Sequence, residues 1–250
     1  MKRVFLIHGW EGRPDNHWFP YLTLELKANG FDVSAPQMPH AAEPKVAEWL
    51  AFLKDYVGKP DEETYFVGHS LGCITIARYL AELSSYSPSL RLQAFPKGST
   101  ASSQEGILPF VKGVPPSSAG RDFSKSSLWA SSPRALAVSK TRPPSFKKGG
   151  VKIGGCVFVA GFSGRLNIPE IREFYELPFD PEQAKVHCGR FTMIFSDNDS
   201  YVPMEKSLEF AKQLDAKTIL ERGKGHFTTG DGVTALPSVL SALLKIAEGS

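Results

Sequence analysis

Cysteine is scarce in this chain: Cys73, Cys156 and Cys188 are the three in 250 residues. An odd number without metal-ligand spacing argues against a disulfide framework and against a cysteine-built metal site. A reducing compartment is the expectation. Long hydrophobic runs are lacking too. The first apolar stretch, Val4-Phe5-Leu6-Ile7, stops at His8-Gly9, too early for the apolar region of a secretory leader, and no later stretch approaches the length of a membrane span. These absences predict a cytoplasmic protein with no membrane partner. What the chain does have is 42% hydrophobic residues, enough to bury the core of one domain of ordinary size.

Charge is unevenly spread. The net charge is +3, yet residues 84–150 hold ten Lys and Arg against two acids, so that segment carries +8 and the remainder −5. The body of the protein is therefore mildly acidic, and a nucleic-acid partner is not expected. The same 67 residues contain sixteen serines and eight prolines and show no sustained period of 2 or 3.6. Such a composition buries too little apolar surface to offset its ordering entropy, which favours a disordered surface insertion; a basic docking arm and translated sequence foreign to the native fold are the competing expectations. Its aromatics, Phe95, Phe110, Phe123, Trp129 and Phe146, are too scattered for a stacking platform.

Outside that segment, strand and helix alternate. "KRVFLIHG", "FDVSAP", "TYFVG", "GGCVFVAGF", "RFTMIFS" and "KTILERG" are short apolar runs that predict six strands. "WFPYLTLELKANG", "AEPKVAEWLAFLKDYV", residues 73–83, residues 203–214 and residues 234–247 have helical spacing. The pattern predicts an α/β fold, a doubly wound and mainly parallel six-stranded sheet, forming a single domain over 1–250 that the 84–150 segment interrupts. Functional residues should gather at the carboxyl ends of its strands.

One such end reads Gly68-His69-Ser70-Leu71-Gly72. G-x-S-x-G between strand and helix is the pattern of a nucleophile elbow, in which a strained serine stands above the sheet. Gly68 and Gly72 lack the Cβ atoms that would strike neighbouring backbone in so tight a turn, and the helix aims its N-terminal amides at the reacting centre. A glycine-rich turn with an incidental serine would also explain the pentapeptide alone. A serine needs a base, however, and of the six histidines His226 is best placed, after the last strand in "ERGKGHFTTG" and last in the chain order Ser, Asp, His. His69 sits inside the elbow, His8 in the turn after the first strand, and His17, His40 and His187 in helix-start or loop contexts where solvated or packed roles are expected. The acid should follow the penultimate strand, in "IFSDNDSYVP", where Asp197 and Asp199 both qualify.

"FLIHGWEG", "NHWFPYL", "GHSLG", "GGCVFVAGF", "SDNDSYVP" and "GHF", in that order, resemble the α/β-hydrolase superfamily, and within it the small serine hydrolases of the YdeN and retinoblastoma-binding-protein-9-like type. The resemblance covers essentially everything outside 84–150. It implies a compact sheet lacking the first two strands of larger hydrolases. It selects Asp199 as the acid, because in that family the acid precedes a short apolar-Pro segment, here Tyr201-Val202-Pro203. It also implies an oxyanion hole made by the backbone N–H groups of Trp10 and Leu71.

The implied function is hydrolysis of small esters, or of thioesters or amides, bearing apolar groups, through an acyl-enzyme on Ser70, without metal or other cofactor. Phe162, Phe174, Tyr175 and Phe179, in the segment after the fourth strand, are the expected apolar wall for a small-molecule acyl substrate. A noncatalytic binding module on the same fold is the competing expectation, since fold alone does not fix function. A protein partner is left unassigned.

Overall fold

The computed structural model of the chain describes residues 1–83 and 150–249. The Ser/Pro-rich segment read at 84–150 lies, except for Gly150, outside the described residues. Six strands form one sheet: β1 (Arg3–Ile7), β2 (Asp32–Ser34), β3 (Thr64–His69), β4 (Gly155–Val159), β5 (Phe191–Phe195) and β6 (Lys217–Leu220). Their order is β2-β1-β3-β4-β5-β6, and every neighbouring pair is parallel. The chain first moves outward from β1 to β2 and then returns past β1 to β3. The reversal leaves a crevice above the carboxyl ends of β1 and β3.

Both faces of the sheet are covered, as side-chain alternation requires. From β1, Val4 and Leu6 point to one face, where they join Val67, Val157, Ile194 and residues of α1 (Phe19–Ala28) and α7 (Pro237–Glu248). Phe5 and Ile7 point to the other, joining Phe66, Phe158, Met193 and residues of α2 (Val46–Val57), α3 (Leu71–Glu82) and α6 (Met204–Gln213). The long segment after β4 is not simply a wall. It holds a 3-10 turn at Pro169–Ile171, α4 (Glu173–Glu176) and α5 (Pro181–His187), the last capped by Asp180, whose Oδ1 accepts the amides of Glu182 and Gln183. The buried Arg78 guanidinium on α3 donates to the carbonyls of Phe174, Leu177 and Pro178, tying the end of α4 to the elbow helix.

Helix α3 starts at the carboxyl end of β3 and runs back toward the strands' amino ends. At that opposite end, Gly154 N–H donates to the carbonyl of Thr64, the first residue of β3. Leu83, just past the end of α3, and Gly150, shortly before β4, therefore both lie away from the strand ends that carry Ser70. Among the described residues no helix is long and apolar enough to cross a membrane.

Candidate active site

Ser70 occupies the junction of β3 and α3 with φ 52° and ψ −118°, a backbone conformation that L-residues rarely adopt. Its surroundings enforce it. Ser70 N–H donates to the carbonyl of Val159 on β4 at 2.8 Å, and a Cβ on Gly72 would run into the carbonyl oxygen of Ile7. A Cβ on Gly68 would stand 2.9 Å from the Cα of Cys73, and one on Gly9 2.9 Å from the Cβ of Ser70. Glycine at 68 and 72 lets β1, β3 and α3 close around the turn. Leu71 opens the helix, so its N–H has no intrahelical acceptor. Among the described residues the Trp10 N–H also makes no backbone hydrogen bond. Cys73, one turn on, is fully buried, and burial pushes its thiol far above the ordinary range, which leaves it inert behind the elbow.

His226 lies in the loop after β6, where Gly223, Gly225 and Phe227 all have positive φ. Two loops are stitched together to hold it. Ser196 Oγ accepts the amide of Lys224, and Asn198 Oδ1 accepts the amide of Gly225. The carboxylate of Asp231 accepts the amides of His226 and Thr228 and the hydroxyl of Thr228. The carbonyl of His226 accepts a hydrogen bond from His69 Nε2 at 2.9 Å. With its main chain gripped from both sides, His226 Nδ1 donates to Asp199 Oδ2 at 2.8 Å. Asp199 Oδ1 takes the amides of Tyr201 and Val202, both at 2.9 Å, and its side chain is almost wholly buried. Asp197 points elsewhere, to Arg222 and the amide of Gly223. A proton on Nδ1 leaves the Nε2 lone pair free.

Ser70 and His226 line the same cavity of 270 Å³, at the crevice above β1 and β3. No hydrogen bond joins Ser70 Oγ to His226 among the described residues; such contacts commonly tighten only when substrate arrives. Leu166, Ile168, Ile171 and Val202 give the cavity apolar lining, and Arg13, Asn16 and His17 give it polar lining.

The four aromatics expected to form the wall do not line it. Phe162 and Phe174 are fully buried, Phe174 edge-on to Trp49 at 5.5 Å. Tyr175 donates to the carbonyl of Ile168, and Phe179 packs between Arg78 and Phe210. Large aromatics yield more by filling the core beside α3 than by facing solvent. The correct segment thus contributes the wall, but through its smaller aliphatic residues. His17, expected in a helix-start or loop context, does sit in the turn just before α1, and it also lines the cavity. Its partner Thr229 lies 212 positions away, beyond the reach of local pattern.

Buried histidines surround the site and give it a pH signature. His8 is locked by donating from Nδ1 to the Gly9 carbonyl and accepting the amide of Met38 at Nε2, and burial lowers its pKa. His69 is driven well below 6.5 by burial first, then by the neighbouring His226. Unfolded, both titrate near 6.5. Below that pH the unfolded state binds more protons, so the stability from keeping them neutral is complete above it and lost as pH falls toward the depressed folded values. The unfolding free energy is expected to fall between about pH 7 and about pH 5.5, with a limiting slope of roughly 1.4 kcal/mol per pH unit for each ring, and the urea midpoint with it. A flat midpoint over that interval would mean that the rings charge in place.

The model of a family described as serine hydrolase matches residues 4–89 and 130–245 of this chain. YdeN of Bacillus subtilis strain 168 is 27% identical over 243 residues, spanning 97% of this chain and 94% of YdeN. The crystal structure of the ydeN gene product superposes with a TM-score of 0.67 at 26% identity, covering 98% of each chain. Est1E from Butyrivibrio proteoclasticus, at 14% identity and a TM-score of 0.54, covers 98% of this chain and 89% of its own and shares the fold.

Proposed function

The chain belongs to the serine hydrolase family, and from that premise we propose that it hydrolyses small esters bearing apolar groups through an acyl-enzyme on Ser70. The observation that carries this reading is the Asp199–His226 hydrogen bond of 2.8 Å in one cavity with a serine held at positive φ. In the first half-reaction, Ser70 Oγ bonds to the acyl carbon as its proton passes to His226 Nε2. The carbonyl π pair moves onto oxygen, and the amides of Trp10 and Leu71 are the donors proposed to meet it. The tetrahedral centre collapses, the bond to the leaving oxygen breaks, and His226 returns the proton to that oxygen. Water repeats the sequence on the acyl-enzyme, giving the free acid and restoring Ser70. Asp199 keeps its charge throughout, holding the ring with Nδ1 protonated and stabilising the imidazolium. Thioesters and amides would follow the same path with sulfur or nitrogen as the leaving atom.

A fluorophosphonate probe tests the reading directly. Intact-mass and peptide analysis should find one phosphonyl group per chain, on Ser70, with displacement of fluoride. Folded protein that fails to label would support a noncatalytic ligand-binding role for the cavity instead.

A further inference from the structure

His17 carries chemistry that acyl transfer at Ser70 does not use. It lines the cavity with Ser70 and His226, directly before the fully buried Trp18, and its φ of 56° lies in the left-handed region. Non-glycine residues hold that conformation where their surroundings demand it. The backbone N–H of Thr229 donates to His17 Nδ1 at 2.9 Å, with Thr229 Oγ1 3.2 Å from the same nitrogen. An amide proton aimed at Nδ1 requires a lone pair there, so the ring proton sits on Nε2; a cationic ring would set two N–H groups head to head. Burial, with the nearby His226 as the next contributor, lowers the His17 pKa in the same direction. The ring meets His69 edge-on at 5.6 Å, and its hydrogen bonds among the described residues are both made at Nδ1. The fold thus builds a neutral imidazole with one donor left over, in the lining of the cavity to which Leu166, Ile168 and Ile171 also belong.

We propose that His17 is a specificity-determining residue whose Nε2–H hydrogen-bonds an acceptor oxygen of the substrate close to the scissile ester. The favoured substrates are then small esters with an ether, hydroxyl or second carbonyl oxygen on an otherwise apolar frame. This rests on the serine hydrolase reading of Ser70. An all-carbon substrate strips water from the His17 donor and returns nothing, whereas an oxygen at that point replaces the water.

Two pairs of esters in which oxygen replaces a methylene test the proposal and locate the oxygen. p-Nitrophenyl methoxyacetate against p-nitrophenyl butyrate probes the acyl side, and 2-methoxyethyl acetate against n-butyl acetate the alcohol side. Each kcat/KM ratio is divided by the ratio for hydroxide-driven hydrolysis, which removes intrinsic reactivity. The wild-type protein should favour the oxygen member of at least one pair by about tenfold or more after that correction. In His17→Phe the corrected preference should collapse toward one. His17→Asn, whose backbone tolerates positive φ, provides a second variant should the phenylalanine chain not fold, and should lose most of the preference. Fluorophosphonate capture and turnover with both wild-type ratios at the hydroxide value overturn the role of His17 alone. So does a preference that His17→Phe or His17→Asn retains in full. Folded protein with neither capture nor turnover of any of the four esters overturns the reading of Ser70 and this proposal with it.

Discussion

Ser70→Ala is expected to lower ester turnover by at least about 10³-fold and to abolish fluorophosphonate capture, while leaving the fold in place. The change removes one oxygen. It keeps the Cβ that packs against Gly9, and the amide that donates to Val159 is backbone and survives. Positive φ costs alanine much what it costs serine, so the melting temperature should shift little. His226→Ala should be comparably severe, and the double variant should add little to either single, because nucleophile and base act as a unit. Steady-state kinetics on a p-nitrophenyl ester, with melting followed on the same preparations, reads both sides. Undiminished turnover in Ser70→Ala would move the nucleophile elsewhere; losses that multiply in the double variant would separate Ser70 from His226.

The two aspartates after β5 should behave oppositely. Asp199 Oδ1 is engaged by the amides of Tyr201 and Val202. In Asp199→Asn those two donors would hold the remaining side-chain oxygen, leaving the NH₂ group facing His226 Nδ1. The ring would then be driven to carry its proton on Nε2, where it cannot accept one from Ser70. A fall in kcat of about 10⁴-fold is expected. Asp197→Asn exchanges an exposed contact with Arg222 for a neutral one and can still accept the amide of Gly223, so kcat should stay within a few-fold. The opposite ranking would make Asp197 the orienting acid.

The elements and the elbow were legible because their signals are local. Six apolar runs bounded by Gly, Pro or Asp, and helices with spacing of 3.6, define a parallel sheet; a serine between glycines at a strand-to-helix junction marks the turn. Which of Asp197 and Asp199 pairs with His226 is not a local matter. It turns on Arg222 and Gly223 engaging one carboxylate while His226 engages the other, and only the family pattern pointed to it. The cavity wall was misread for a related reason. Phe174 and Phe179 are hydrophobic on any scale, but Arg78 on α3 fixes the end of α4 and turns the aromatics inward, leaving Leu166, Ile168 and Ile171 on the cavity. Nothing near position 17 announces an amide 212 residues away.

A parallel sheet joined entirely by crossovers also dictates when this protein could become active during refolding. The turns that follow β3, β5 and β6 carry Ser70, Asp199 and His226, and they come into register only when the strands pair across long stretches of chain. Helices close locally within about a microsecond, whereas such distant pairings must first overcome the entropy of loop closure. A partly assembled sheet would therefore show much of the final helical signal with its three groups still scattered. Recovered turnover would be a clock for the last strand to dock, lagging the recovery of ellipticity after dilution from denaturant.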